Sequence, residues 1–557
     1  MKKYLILLII LLTIILPTVA FAEVSPAVQP TLLMKTSTSL SNNSGNPVVV
    51  SSTNSLLLDL GTILDGNTVT NSVKVFKINT KSIETEIPVN CVIDKINPSL
   101  VQVKTKDSVP FMQGEEYKVV VDPTLKTSKG LSLSNNIEYF AVNYSFTLEK
   151  EGIAQLDSKR ELVVCISDIH LGIDDRYAEI KKNRDSLKNF LEKIRYSPNV
   201  KELVIAGDLF DEWFIPAELD TFNGKTQLDF VKSIAKNNKI VIDALNNIIT
   251  DKKIKVTYVP GNHDLLVTAS DVESVLPGIS QSRDVQGLGS YSPENFPKAI
   301  IEHGHRYNFF CAPDPISNAK IAPGSILPSG YFFTRIATTS VIEGQPKAGG
   351  IMPEVTPNKL GVSQELAYNY WQQWKMLMTN FQVKESFDEK LITTNIDGFK
   401  NNYSINEIMP YQTIKNGVIN MNLFKGSQDS WEERQSLNKV AVKTSAKEAI
   451  TNAEATGLDE MSNLQYFSNP ESNKRIVVFG HSHEARILSY TTVNNQKAIY
   501  ANTGTWVDKN TYPTMTFVVL TPQKTKDSIP SFVNLYQYSS EGVSTKLDVQ
   551  ALTKLND

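Results

Sequence analysis

All six histidines of the chain fall in four short segments: Ser167-Asp168-Ile169-His170, Gly261-Asn262-His263-Asp264, His303-Gly304-His305 and Gly480-His481-Ser482-His483. A fifth segment, Gly207-Asp208, has a carboxylate in a similar setting. Each follows an apolar run that reads as a strand, and strand ends are where open α/β sheets carry their ligand-binding loops. A lone His is more often structural, and a lone Gly-Asp is only a turn. Scattered structural histidines, however, would not all stand at strand ends beside Asp, Asn and Gly. Carboxylate, amide oxygen and imidazole make a mixed O/N donor set suited to Mn, Fe or Zn rather than to a thiolate site. Two such cations need a bridging carboxylate, and together they can activate a shared water as hydroxide while polarising a phosphoryl oxygen. Glycines beside the donors let backbone approach closely.

The elements that must position these loops read as strands alternating with helices. Residues 162–166 are an apolar β run, and 178–196 has helical spacing with its charges on the other face. Residues 203–206 form the next strand, 226–249 a helical segment, and 254–259 and 299–301 further strands. After a long interval come 476–479, 498–501, 515–520 and 532–538. The alternation argues for an α/β core over residues 156–557. Residues 306–474 break the pattern, with Pro/Gly-rich loops, a candidate helix at 364–381 and another near 431–455. A segment this long between two strands reads as an inserted cap region. Trp371 and Trp374 are read as the packing face of that cap in preference to the wall of a substrate cleft.

Ahead of this core the chain changes character. Lys2, Lys3, an apolar run at 4–16, Pro17 and Ala20-Phe21-Ala22 read as a signal peptide over 1–22, cleaved before Glu23. An uncleaved membrane anchor is the competing reading, because the run approaches the length of a bilayer span. A secreted or cell-surface location is expected, with no transmembrane segment after cleavage. Residues 23–47, rich in Ser, Thr, Asn and Pro, read as a flexible linker, and 48–150 as short strands divided by turns, a small β-sandwich. With 41% hydrophobic and 21% charged residues among 557, wholesale disorder is excluded. The net charge of −3 becomes −5 once Lys2 and Lys3 leave, which gives no general field for nucleic acid and no evident nucleic-acid-binding patch. Cys91, Cys165 and Cys311 are too few and too widely spaced for a disulfide scaffold and read as buried thiols.

The order D-x-H, G-D, G-N-H-D, H-G-H, G-H-x-H, running over 161–506, resembles that of the calcineurin-like metallophosphoesterase superfamily. The resemblance implies a four-layer α/β/β/α sandwich with a helical insertion, here preceded by an all-β module. It implies two divalent metal ions (Mn, Fe or Zn) and hydrolysis of a phosphate ester by a metal-bridging hydroxide. Carried over, Asp168, His170, Asp208 and His483 would hold one metal. Asp208 would bridge to the second, completed by Asn262, His303 and His481. His263 would face the phosphate and stabilise the transition state or protonate the leaving oxygen. Asp211, placed as in the G-D-x-x-D form of the motif, is expected to orient His263, its alternative role being a loop cap. His305 competes with His303 as ligand, and the resemblance favours His303.

The stretch Gly207-Asp-Leu-Phe-Asp-Glu-Trp213 looks like the UDP-2,3-diacylglucosamine pyrophosphohydrolase-like group, whose members use an insertion as a lid over lipid chains. Export, a longer insertion and the N-terminal module depart from that group, so its substrate is not carried over. Residues 111–134 resemble the end of the bacterial Ig-like modules of surface-layer proteins. Asn502-Thr-Gly-Thr-Trp506 is similar to a loop that closes such sites, and reads almost as well as a plain turn. Arg306 and Arg335 are candidates for gripping phosphate oxygens. The expected function is an exported phosphoesterase acting on a phosphodiester or pyrophosphate, with a phosphomonoesterase or nucleotidase as the alternative. From another class comes a catalytically inactive surface adhesion or cell-wall-binding protein. The expected partners are a phosphate-ester substrate and, through the N-terminal module, the cell wall or surface.

Overall fold

The computed structural model describes residues 31–33, 48–50, 55–78, 83–106, 109–133, 136–143, 160–222, 224–451, 453, 455–521 and 531–552. The expected signal peptide, most of the expected linker and the 144–159 junction lie outside them. Nine short strands come first: β1 (Thr31–Leu33), β2 (Val48–Val50), β3 (Ser55–Asp59), β4 (Val73–Ile78), β5 (Glu84–Ile87), β6 (Val89–Ile93), β7 (Leu100–Thr105), β8 (Glu116–Val121) and β9 (Asn136–Val142). They form two sheets, β1-β3-β7-β6 and β2-β9-β8-β4-β5. Alternate residues point inward, so that Leu56, Leu58, Val101 and Val103 of one sheet meet Val75, Val119, Val121 and Phe140 of the other. Within the stretch read as a linker, Thr31–Leu33 pairs in parallel with β3.

The next elements are β10 (Leu162–Ile166), α1 (Arg184–Tyr196), β11 (Val200–Ala206), α2 (Gln227–Asn237), α3 (Lys239–Asp251), β12 (Lys255–Val259), α4 (Ala269–Val275), β13 (Ser280–Gln281) and β14 (Ala299–Ile301). The helix expected over 178–196 begins only at Arg184, because the amides of Lys181, Lys182 and Asn183 donate to the Asp508 carboxylate instead of entering a helical ladder. The segment expected at 226–249 is two helices divided at Asn238, whose side-chain amide donates to the carbonyls of Ile234 and Gly172. Thr226 and Thr268 close capping boxes with Asp229 and Asp271 and so fix where α2 and α4 begin.

The insertion holds α5 (Gly330–Ile342), α6 (Val362–Asn380), β15 (Ile392–Thr393), β16 (Asn402–Tyr403), α7 (Ile405–Ile408), β17 (Tyr411–Gln412), β18 (Ile419–Asn420), α8 (Trp431–Leu437), α9 (Ala446–Thr451) and α10 (Ala455–Ser462). Trp371 and Trp374 are buried in its core with Phe333, Tyr370 and Trp431, and Trp213 of the α/β core joins the same cluster. The single helix expected near 431–455 is broken into short pieces.

The chain then returns through β19 (Ile476–Phe479), β20 (Arg486–Thr491), β21 (Lys497–Asn502), β22 (Thr516–Thr521), β23 (Ser531–Tyr538) and β24 (Ser544–Leu552). Strands β20 and β24 escaped the sequence reading; they are sheet edges on which polar residues interrupt the apolar pattern. Two sheets result, β13-β12-β11-β10-β22-β23-β24 and β14-β19-β21-β20. They face each other through Val163, Cys165, Val204, Ala206, Ile301, Val478 and Ile499. Phe190 and Leu191 of α1 and Leu245 and Ile248 of α3 cover the outer face of the larger sheet. Leu458 and Phe467 cover that of the smaller, against Val477 and Tyr500. The order of layers is thus α/β/β/α, with all-β sheets ahead of it. No helix among the described residues is long and apolar enough to cross a membrane. Parallel pairing of β10, β11 and β12, and of β14 with β19, brings the loops that leave these five strands to one end.

Candidate metal centre

Each of the five strands is apolar and buried, and the residue that ends it begins a loop carrying a potential donor. Asp168, His170, Asp208, His481 and His483 all have positive φ, between 51° and 67°. Left-handed backbone at a non-glycine residue costs ~1–3 kcal/mol and persists only where surrounding bonds impose it. The bonds are present. The amide of His481 donates to the Asp168 carboxylate, that of His263 to Asp208 Oδ1 at 2.8 Å, and those of Trp506 and the Thr505 hydroxyl to the Asp168 carbonyl. The Asn502–Trp506 loop therefore clasps the first block. Asp264, buried, accepts from the amides of Gly261, Leu209 and Phe210 and ties the third loop to the second. Gly207 (φ 90°) and Gly261 have no room for a Cβ, which would strike the His303 ring and the Asp208 carboxylate.

Three groups of potential donors adjoin one another: Asp168–His170–His483 and Asp208–His303–His481, both buried, and His170–Glu179–Asp211–His263, in which Glu179 is half-buried. In the first, His483 Nε2 lies 3.1 Å from Asp168 Oδ1 and 3.1 Å from His170 Nε2. In the second, His303 Nε2 lies 3.1 Å from both Asp208 Oδ2 and Asn262 Oδ1. Asp208 Oδ2 is also 3.7 Å from His170 Nε2, so this one oxygen faces both groups. His303 Nδ1 sits 2.8 Å from the Ala206 carbonyl, which fixes a proton on Nδ1 and makes Nε2 the nitrogen whose lone pair a bound ion would take in place of a proton. His305 is turned away: its Nε2 is 2.9 Å from the Gly287 carbonyl, and burial among other imidazoles holds its pKa well below the ordinary value.

The electrostatics fit a cation. Burial disfavours a charged His303, yet the carboxylates of Asp208 and Asp168 lift its pKa to about 9. His481, buried near His303, falls to about 3 and is a neutral donor. Nitrogen and oxygen atoms 3.1 Å from one another match the spacing of donors that share an ion at ~2.0–2.2 Å. The O/N donor set, the buried negative charge and the cradle that admits no Cβ together suit two divalent ions held about Asp208.

Beside these groups stands His263. Its Nδ1 is 2.8 Å from Asp211 Oδ1, and the other Asp211 oxygen is 3.0 Å from His170 Nδ1. Burial raises and the two imidazoles lower the pKa of Asp211, and the imidazoles prevail. The Trp213 ring stacks on His263 with centroids 4.9 Å apart. Three neighbours of the site escaped the sequence reading. Glu179 Oε2 lies 3.3 Å from His170 Nδ1 but belongs to a stretch expected to be helix. Asn308 Nδ2 lies 3.3 Å from His481 Nε2, just beyond the fourth block. Asp264 is quoted in its motif without a task. Of these, only Asp264 had a signal, its place in the block. Arg306 and Arg335 do not reach the site. Arg306 pairs with Glu302 and Asp284 and donates to the Asn438 carbonyl, while Arg335 donates to the carbonyls of Ile215, Pro216, Ala217 and Thr393.

Residues 162–344 match the family model described as calcineurin-like phosphoesterase. No curated protein matches the chain. Among solved structures, the surface-layer protein rSbsC (31–844) is 17% identical over 23% of this chain and 16% of its own, with a TM-score of 0.15. Domains 1–6 of the surface-layer protein SbsC are 16% identical over 24% of this chain and 17% of their own, also at 0.15. The purple acid phosphatase PPD1 from yellow lupin (Lupinus luteus) seeds is 9% identical over 86% of this chain and 69% of its own, at 0.27. At such scores these likenesses add nothing to the family match. That match, over about a third of the chain, takes in the first four motif blocks and ends inside the insertion, and the fifth block completes the same buried His/Asp groups from the far side of it, so that residues 162–344 carry the likeness to calcineurin-like phosphoesterases and all five blocks meet at one potential metal site.

Proposed function

We infer that this is an exported, metal-dependent phosphoesterase that cleaves a phosphodiester or pyrophosphate bond. The observation that carries the reading is the arrangement about Asp208: one carboxylate oxygen faces two donor groups, and His263 stands just outside them. Asp168, His170, Asp208 and His483 would hold one divalent ion, and Asp208, Asn262, His303 and His481 the other. When bound, such ions lower the proton affinity of water and neutralise charge on a phosphoryl group.

The protein's own groups then have defined tasks. Asp211, ionised, only accepts, so His263 Nδ1 carries a proton and Nε2 is the nitrogen left to face the substrate. Its pKa is lowered by burial but raised more by Asp211 and Asp208, which suits it to hold a proton and deliver it to a departing oxygen. Trp213 stacks on the ring, restrains its rotation and keeps water from that face. Asn262 offers an amide at the same mouth. The apolar N-terminus of the sequence supports export, and the β-sandwich ahead of the domain is proposed as its contact with the cell wall or surface.

The test is hydrolysis of bis(4-nitrophenyl) phosphate by the chelated protein, before and after Mn is restored, with 4-nitrophenyl phosphate alongside. Turnover of the diester that returns with Mn and is lost in Asp208→Asn supports the reading. Faster turnover of the monoester would move the assignment to a phosphomonoesterase, and no turnover of either would sink it.

A further inference from the structure

Two cavities lie near the metal-site groups, the smaller lined by Asn262 and His263 and the larger reaching them through Asn308, which is 3.3 Å from His481, and their linings differ from what a polyphosphate requires. The smaller, about 60 Å³, is lined by Trp213, Asn262, His263, Asn308, Phe310, Phe333, Met376 and Leu377 among others. Apart from His263 its lining has no ionisable side chain but the Cys311 thiol, whose pKa burial pushes far up. The larger, about 430 Å³, shares Asn308 and Ala453 with the first and runs between α9 and α10. Its only charged lining residues are Glu448 and Glu460. Among the described residues, no Lys or Arg lines either cavity. The two arginines expected as phosphate clamps are consumed elsewhere, Arg306 by Glu302 and Asp284 and Arg335 by backbone carbonyls.

Charge decides what such a site admits. A pyrophosphate or nucleoside diphosphate brings a second phosphoryl group beyond the one at the metal site. That group needs cationic or multiple N–H partners, and an anion placed against apolar walls or carboxylates is strongly disfavoured. An uncharged arm meets no such penalty, and apolar surface gains ~25 cal/mol per Å² on burial.

We propose that the substrate is a phosphodiester with a single phosphoryl charge, its leaving arm small and apolar in the His263 cavity and its retained arm neutral or cationic in the larger cleft. This rests on the phosphoesterase reading and narrows it, by removing pyrophosphates and nucleotide polyphosphates. In the hydrolysis, water oxygen bonds to phosphorus and gives up one proton to solvent, from which His263 is later reprotonated, and the P–O bond to the apolar arm breaks. The proton on His263 Nε2 passes to that departing oxygen, and the products are an alcohol and a monoester. About 60 Å³ houses a short alkyl group or, with a shift of the flexible Met376, one ring.

The experiment compares kcat/KM for bis(4-nitrophenyl) phosphate and for uridine diphosphate glucose on the Mn-loaded full chain. It is repeated in Met376→Lys, whose unbranched stem resembles that of Met, and in Gln373→Lys one turn earlier on α6. The wild type is expected to favour the diester at least tenfold. Either Lys variant should narrow that ratio at least fivefold, by losing diester turnover through KM and gaining pyrophosphate turnover. Equal or faster turnover of the pyrophosphate by wild type, or a ratio unmoved in both Lys variants that melt as wild type does, overturns the proposal while leaving the phosphoesterase reading intact. No turnover of either compound by the loaded wild type overturns both.

Discussion

Asp211 and His263 form a carboxylate–imidazole pair at 2.8 Å, and the same carboxylate reaches His170 at 3.0 Å with its second oxygen. One buried anion thus sets the tautomer of a metal-group histidine and of the histidine outside it. Asp211 Oδ1 also accepts from the amides of Trp213 and Phe214, which fixes its own rotamer. Removing the charge should therefore disturb two imidazoles at once. Asp211→Asn is expected to lower kcat on bis(4-nitrophenyl) phosphate by about 10- to 100-fold and to weaken metal retention by a similar factor. Titrating activity against Mn checks both. If Asp211 were only a loop cap, the variant would melt lower while keeping wild-type kcat and Mn dependence.

Asp208 is the carboxylate common to both donor groups, so its loss should unmake the pair of sites rather than one of them. Metal analysis of the purified chain is expected to find two divalent ions in the wild type and fewer than one in Asp208→Ala. Chelation should lower the melting temperature of the wild type, since an ion bound only by the folded state stabilises it by mass action. The same treatment should leave the melting temperature of Asp208→Ala unchanged. A chelator-induced shift of equal size in the variant would place the ions elsewhere.

The residues of these groups were readable in the sequence because the chemistry narrows their types: an O/N ligand set for such ions draws chiefly on Asp, Glu, Asn and His. Backbone conformation was not readable. Nothing in Asp168 or His483 announces a positive φ, because long-range bonds to His481, Thr505 and Trp506 impose it at Asp168. Glu179 was hidden for a related reason. Its segment has helical spacing, but Asp508, over three hundred residues away in sequence, takes the amides that a helix would have used. The edge strands β20 and β24 lacked a clean apolar alternation because edges are half solvated. The arginines misled because the sequence cannot say which carbonyls a guanidinium will meet.

Arg335 now carries a structural expectation in place of a functional one. Its guanidinium, fully buried, donates to the carbonyls of Ile215, Pro216, Ala217 and Thr393 and to the Thr221 hydroxyl, joining α5 to the loop that leaves the second motif. Arg335→Met leaves those acceptors buried without donors, at about 1–3 kcal/mol for each unsatisfied group. The variant is expected to unfold at lower denaturant by several kcal/mol, with KM for the diester altered less than twofold in the protein that remains folded. A phosphate clamp would give the reverse, a raised KM at unchanged stability.

Asp459 offers a pH signature away from the metal groups. It is buried in α10, and its Oδ2 is 2.9 Å from Arg486 Nη1. Burial outweighs Arg486 and raises its pKa from 3.8 to about 6. Between those values the folded chain holds a proton that the unfolded chain has released. The folded state therefore binds more protons, and stability falls as pH rises from about 4 to about 6, by up to ~3 kcal/mol. Asp208 titrates in the opposite sense, since its histidine neighbours outweigh burial and hold its pKa well below 3.8, so its window lies under pH 4. Urea unfolding of the chelated protein at pH 4.5 and pH 6.5 should then show a larger loss in the wild type than in Asp459→Asn, whose amide neither gains nor loses a proton, while burial-raised carboxyls such as Asp264, held at about 6, contribute equally to both proteins. Equal slopes in the two proteins would mean that Arg486 keeps Asp459 ionised throughout, and that the pair is an ordinary salt bridge.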